Sequence, residues 1–232
     1  MESYRKAEAV AVGNRVYPEF EAPRRWGRPF GDAGKRLFDL AAAGIGLIVL
    51  SPVMLLVALV LKLSDPRGAV LFRQHRIGKD FRPFRICKFR SMVCDAEKVL
   101  LQSPELHAKY IRNNYKLDPS EDPRITPFGR FLRKTSLDEL PQLLNVLAGH
   151  MSLVGPRPVV REELAHYGKQ AQLLLSVRPG VTGYWQVSGR SSVGYPERKE
   201  LELQYIRRRS FAFDLLILLK TVVVVFLKRG AY

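Results

Sequence analysis

Two adjacent carboxylates, Asp138 and Glu139, are the strongest chemical signal in this 232-residue chain. Arg130, Arg133 and Lys134 lie just upstream, and Arg157 follows in a rigid Gly-Pro-Arg-Pro turn. Acid groups ringed by cations at a helix N-terminus can hold a metal ion and meet a phosphate. Ser136 and Glu139 have the spacing of a capping box, so a helix start is expected here. Pro141 is tolerable near such a start, because first-turn N–H groups have no intrahelical partner. A plainer reading stands beside this one: acids in a first helical turn are ordinary dipole partners, and a capping glutamate is structural.

A second chemical stretch runs from Arg178 to Arg190 and is dense in turn residues. Its glycines would let backbone approach a ligand, while Arg178, Gln186 and Arg190 could contact phosphates or a base. Glycine-rich turns also serve simply as turns.

The charge balance narrows the partners. Thirty-eight Lys and Arg against 22 Asp and Glu leave a net charge of +16. That implies nucleic acid, an anionic membrane surface or phosphorylated substrates. Nucleic acid is the default for a basic protein, but here the basic residues are interleaved with long apolar runs. Cys87 and Cys94 match no common zinc or redox spacing, and the four histidines are scattered. Disulfide scaffolding and a structural zinc are therefore not expected, and a reducing compartment is expected for the soluble part.

Several elements must position these groups. Residues 1–34 mix charge, Pro and Gly and read as a mobile basic arm without the layout of a secretory signal peptide. From Leu40 to Leu61 no charge occurs. As a straight helix this run would be about 33 Å long, enough to span a bilayer. Ser51-Pro52 sits at its centre, however, and both flanks are basic. A re-entrant hairpin satisfies both features, and a kinked helix that crosses once is the alternative. Residues 69–92 predict a hairpin turning near Gly78-Lys79-Asp80, with cations and aromatics along it that suit either a single nucleic-acid strand or lipid headgroups. Helices are expected over 95–116, 161–177 and 197–209. The apolar stretch 215–227, interrupted by Lys220, reads as an interfacial helix or a buried core helix.

Taken together, Lys35-Arg-Leu-Phe-Asp-Leu40 leading to Ser51-Pro52, Lys88-Phe-Arg-Ser-Met92, Ser136-Leu-Asp-Glu-Leu-Pro141, Met151-Ser-Leu-Val-Gly-Pro-Arg-Pro158, Arg178-Pro-Gly-Val-Thr-Gly183 and Trp185-Gln-Val-Ser-Gly-Arg190 resemble the bacterial sugar transferases. These are monotopic phosphoglycosyl transferases acting on polyprenyl phosphate. The resemblance covers roughly residues 33–229, and six motifs in order make coincidence very improbable.

The resemblance implies an α+β, mostly helical fold with a membrane-inserted re-entrant helix hairpin, interfacial amphipathic helices and a cytosolic catalytic region. It divides the chain into an arm (1–34), a re-entrant helix broken at Ser51-Pro52 (35–63) and a catalytic region (64–232). Larger members carry a multi-span N-terminal region, so a minimal catalytic form is expected. The implied reaction moves sugar 1-phosphate from a UDP-sugar to undecaprenyl phosphate at the cytoplasmic face of the bacterial inner membrane, releasing UMP. The implied partners are UDP-sugar, polyprenyl phosphate and inner-membrane lipid rather than nucleic acid; a homo-oligomer is left open. Asp138 matches the nucleophile and Glu139 its partner acid, with Mg²⁺ bound through Asp138. Lys88, Arg133 and Arg157 match basic active-site positions, and Arg178 and Arg190 the nucleotide-side loop. Glu202 stands where members usually carry Asp, within Leu201-Glu-Leu-Gln-Tyr205. The rival reading is a membrane-associated nucleic-acid-binding or scaffold protein without catalysis.

Overall fold

The computed structural model describes residues 10–12, 15–17, 29–112, 117–118, 120–189 and 193–226. Two three-residue strands, β1 (Val10–Val12) and β2 (Arg15–Tyr17), pair antiparallel. Of the arm expected over 1–34, the other residues before 29 lie outside the described residues, as do 113–116 and Arg190.

The long helix α1 (Pro29–Ser64) begins before the expected boundary at 35. Its helical run continues through Ser51 and Pro52, where two separate arms were expected. Pro52 has no N–H for the carbonyl of Ile48, and the Ser51 hydroxyl donates to that oxygen at 2.7 Å instead. The Ser-Pro pair thus carries its own backbone repair. One stripe of α1 faces the protein body on both sides of Pro52. Ala43 packs with Phe84, Ile86, Leu143 and Met151, whereas Val57 and Leu61 pack with Phe89 and Leu132. The opposite stripe, with Ile45, Ile48, Leu55, Leu56 and Leu59, is exposed and wholly apolar. Among the described residues this is the one helix long and apolar enough to cross a membrane.

The hairpin forms as the sequence predicts: β3 (Leu71–Ile77) and β4 (Pro83–Phe89) are antiparallel, from Leu71↔Phe89 to Ile77↔Pro83. The helix expected over 95–116 divides into α2 (Ala96–Leu101) and α3 (Pro104–Arg112), because Pro104 can start a helix but not continue one. Thr126 caps α4 (Pro127–Thr135), its side chain accepting from Gly129 N at 2.9 Å. Leu132 on α4 is wholly buried, and truncating such a side chain to Ala costs about 2–5 kcal/mol.

The expected capping box is not formed. Ser136 adopts a left-handed conformation (φ 57°) and its side chain makes no capping hydrogen bond. The dyad instead occupies a 3₁₀ turn, Leu137–Glu139, and the α-helix α5 (Gln142–Leu147) starts after Pro141. Ser136 at positive φ turns the chain out of α4, so no regular first turn exists for Glu139 to cap.

Strand β5 (Ser152–Val154) pairs in parallel with β6 (Gly180–Thr182). Between them, the single amphipathic helix expected over 161–177 breaks into 3₁₀ turns at Glu162–His166 and Gly168–Gln170 and a short α6 (Ala171–Leu174). Gly168, at φ +51°, interrupts the helical run. After α7 (Tyr184–Ser188) come α8 (Glu197–Arg208) and α9 (Phe211–Phe226), close to the expected helices. Lys35 Nζ lies 2.7 Å from Asp214 Oδ2, and the Phe38 and Phe211 rings meet edge to face at 5.3 Å. These contacts bring α1 and α9 together. Ile217 of α9 is buried in the core, while Phe211, Leu219, Val222 and Val223 are exposed. The result is a mostly helical α+β fold with one long apolar helix.

Candidate active site

Hairpin register decides which cations face the dyad. Arg76 pairs with Phe84 and Lys88 with Phe72, so period-two alternation puts Arg76 and Lys88 on the same face. Lys88 Nζ reaches Glu139 Oε1 at 2.5 Å. From the other side, α4 sends Arg133 inward, where its Nε donates to Ser91 Oγ at 2.9 Å. Arg130 and Lys134 remain exposed on α4.

Asp138 is buried beneath these groups, with 8% of its surface exposed. Burial, and then the charge of Glu139, push its carboxyl up to about 6, against the pull of Lys88 and Arg133. Two adjacent carboxylates therefore have different characters: one is salt-bridged, the other buried with a raised proton affinity. This arrangement can present a carboxylate to an anionic phosphorus while nearby cations accept the phosphate charge.

A small cleft beside the dyad is lined by Arg76, Lys88, Glu139, Gln142, Arg157, Pro158 and Gln186. In the sequence Arg76 is one of many hairpin cations, with no motif to single it out. Counting pairs outward from the expected turn would have put it on the face of Lys88. Burial, and next the charge of Arg157, lower the Arg76 guanidinium to about 10. Gln186 donates from Nε2 to Val181 O at 3.4 Å.

The Gly155–Pro158 turn is clamped from three elements. Arg76 Nη1 donates to Pro158 O at 3.2 Å, and Val160 N donates to Glu163 Oε2 at 3.1 Å. Glu202, only 1% exposed, accepts from Arg157 N at 3.3 Å, from the Tyr167 hydroxyl, and from Arg198 Nε at 3.3 Å. Glu202 therefore stands behind the turn rather than among the dyad's cations, and it is no solvated surface acid. The glycine loop packs on the same turn. A Cβ at Gly180 would stand 2.1 Å from Gly155 N. At this position glycine serves backbone-to-backbone contact, not ligand approach.

Asp138, Glu139, Lys88 and Arg133 thus come together, with Arg157 and Gln186 on the adjoining cleft. Arg178 does not join them. Its Nε donates to Gly149 O at 2.8 Å, and it lines a second cleft with Lys35, Arg36 and Asp39 that shares no residue with the first. Besides Arg76, the sequence reading missed Glu163, Tyr167 and Arg198, none of which lies in a motif with chemical spacing.

Among the described residues, no group of three or more His, Cys, Asp or Glu gathers to hold a metal. Mg²⁺ is ordinarily bound through one or two carboxylates plus substrate phosphates, with water completing the shell. Asp138, a carboxylate next to Glu139 and beside the cleft with Arg76 and Arg157, is a donor that fits this mode.

Comparison with known proteins adds the following. The family model for bacterial sugar transferase matches residues 30–228. The exopolysaccharide production protein ExoY of Rhizobium meliloti (strain 1021) is 44% identical over 209 residues, covering 88% of this chain and 91% of that protein. The UDP-galactose-lipid carrier transferase of Erwinia amylovora is 45% identical over 202 residues, covering 85% of this chain and 41% of its own length. The undecaprenyl-phosphate galactose phosphotransferase of Salmonella typhimurium is 43% identical over 202 residues, with the same two shares.

Proposed function

This chain belongs to the bacterial sugar transferase family and is a phosphoglycosyl transferase, and from that premise we propose that it passes a sugar 1-phosphate from a UDP-sugar to undecaprenyl phosphate. The observation that carries the reading is the buried Asp138 carboxyl beside the Lys88–Glu139 pair and Arg133, next to a cleft with Arg76 and Arg157.

In this reading Asp138 attacks the β-phosphorus of the donor. A bond forms between its carboxylate oxygen and phosphorus, the bond to the bridging oxygen breaks, and UMP leaves with that electron pair. The sugar phosphate rests on Asp138 as an acyl phosphate. An oxygen of undecaprenyl phosphate then attacks the same phosphorus and returns Asp138 as carboxylate. Arg76, Arg157 and Lys88 neutralise the phosphate oxygens, and Glu139, held by Lys88, raises the proton affinity of Asp138 until the donor arrives. Mg²⁺ bound through Asp138 would supply charge neutralisation between carboxylate and diphosphate.

The exposed stripes of α1 and α9 support a membrane-embedded protein. We take α1 to be re-entrant, with both ends at the cytoplasmic face of the inner membrane and α9 lying in the interface. Nothing in the site favours the nucleic-acid or scaffold reading.

The test is UMP release from a panel of UDP-sugars in detergent with Mg²⁺ and polyprenyl phosphate, together with recovery of labelled sugar phosphate on the protein. Asp138→Asn should lose both, with turnover falling by about 10³-fold or more. Retention of more than about a tenth of wild-type turnover would remove Asp138 as nucleophile.

A further inference from the structure

Arg198, the first-turn arginine of α8, is 1% exposed and lines no cleft beside the dyad. A guanidinium taken so completely out of water is costly unless it is paired and held. Its Nε donates to Glu202 Oε1 at 3.3 Å, one helical turn along α8, and its Nη1 donates to Glu163 Oε1 at 3.3 Å. The guanidinium also lies over the Trp185 ring at 4.7 Å and over the Tyr195 ring at 4.9 Å. Burial lowers its proton affinity, but Glu202, Tyr195 and Glu163 more than offset this, so it remains charged.

Each of these partners leads to Arg157. Glu202 accepts from the Arg157 N–H, which fixes the main chain of the turn. Trp185 lies under the Arg157 guanidinium at 5.7 Å, which fixes its side chain. Glu163 holds Val160 N at the far end of the same turn and stands 3.7 Å from Arg76. Three guanidinium groups, Arg76, Arg157 and Arg198, face two carboxylates, Glu163 and Glu202. One positive charge is left over, and the cleft beside the dyad is where Arg76 and Arg157 present it.

We infer that Arg198 is a positioning residue: it organises Glu202, Glu163 and Trp185 into a buried clamp that aims Arg157 at the phosphate groups of the substrate. This rests on the phosphoglycosyl transferase reading for the identity of that substrate. A planar guanidinium suits the task, since it can bridge two carboxylates and lie over two rings, whereas an ammonium is a compact, strongly hydrated point charge.

A double-mutant cycle tests this, using UMP release by the full-length protein in detergent and following thermal unfolding of every variant. Arg198→Lys should keep a cooperative unfolding transition and lower kcat/KM for the UDP-sugar by about 10-fold, with Arg157→Ala lowering it at least as much. If Arg198 acts through Arg157, adding Arg198→Lys to Arg157→Ala should change kcat/KM by less than about 2-fold. Glu163→Gln, which removes one counter-charge of Arg198, serves as a second entrance to the cycle should Arg198→Lys fail to fold. It should show the same loss of effect in the Arg157→Ala background. Multiplicative losses in that background, or near-wild-type kinetics in Arg198→Lys, would overturn the assignment. A wild-type protein that releases no UMP from any donor counts against the reaction instead, which keeps the two failures apart.

Discussion

Lys88 Nζ lies 2.5 Å from Glu139 Oε1, tying β4 to the 3₁₀ turn across 51 positions of chain. That contact separates the roles of two neighbouring acids. Glu139 has a cation against it, while Asp138 is buried with the charge of Glu139 beside it. Pairs of carboxylates whose environments drive them apart are a common arrangement for acid and nucleophile work.

The first prediction concerns pH. A carboxyl raised to about 6 loses its nucleophilic form as pH falls through that value. The kcat/KM profile, which reports the free enzyme, should therefore show an acidic limb near pH 6. Glu139→Gln removes a like charge and should move the limb down; Lys88→Met removes a cation and should move it up. A limb indifferent to both variants would dissociate it from Asp138.

Stability should move opposite to activity. Because the folded protein binds the Asp138 proton more tightly than the unfolded chain, this group's contribution falls as pH rises from 3.8 to about 6 and stays unfavourable above that. Asp138→Asn removes the deficit, so at pH 7 the inactive variant should be more stable, by about 1–3 kcal/mol. Thermal unfolding in one detergent at pH 7 and pH 5 checks this, and the gain should shrink at the lower pH.

Glu202 offers a graded test. Burial raises its carboxyl, and Arg198 with the three donors on it opposes that; the donor geometry favours the ionised pair. Glu202→Gln should lower kcat/KM by about 10-fold or more, because Arg198 loses its nearest counter-charge and the Arg157 turn a charged acceptor. Glu202→Asp keeps that charge with a shorter reach and should cost less. Near-wild-type kinetics in Glu202→Gln would make the residue irrelevant to the site.

Arg178 should behave as a structural residue. Its guanidinium holds Gly149 O, the turn after α5, in a cleft apart from the dyad. Arg178→Ala is expected to lower the unfolding midpoint by several degrees while kcat/KM stays within about 3-fold. A large rise in KM without destabilisation would return Arg178 to the nucleotide side.

The topology of α1 is open to labelling. Replacing Ser51-Pro52 by two leucines should yield an unbent spanning helix and carry the N-terminus across the membrane. A cysteine probe near the N-terminus should react from outside only in this variant; reaction in the wild type would rule out the re-entrant arrangement. Ser51→Ala alone leaves the Ile48 carbonyl without its hydroxyl donor in an apolar setting, and should lower the yield of membrane-inserted protein.

What the amino-acid sequence determined by itself was local and periodic. The Leu40–Leu61 run, the hairpin around residues 78–80, the Asp138-Glu139 dyad and the family motifs were all legible, because each depends on residue type and short spacing. Ser136 was misread for a local reason too: the S-x-x-E spacing says where a cap could form but not that φ will be +57°. Tertiary structure alone decided the rest. Arg178 and Arg157 flank strands that pair directly, yet their side chains serve different clefts, and nothing in their motifs distinguishes them. The motif around Glu202 points to an acid of the site, but only the fold buries it with Arg198 behind the turn, where Tyr167, Trp185 and the Arg157 turn close over the pair. The strength of a charge and its proton affinity depend on how much water its neighbours exclude. Here Tyr167 and Arg157 come from 35 and 45 positions away along the chain, a distance that no spacing rule spans.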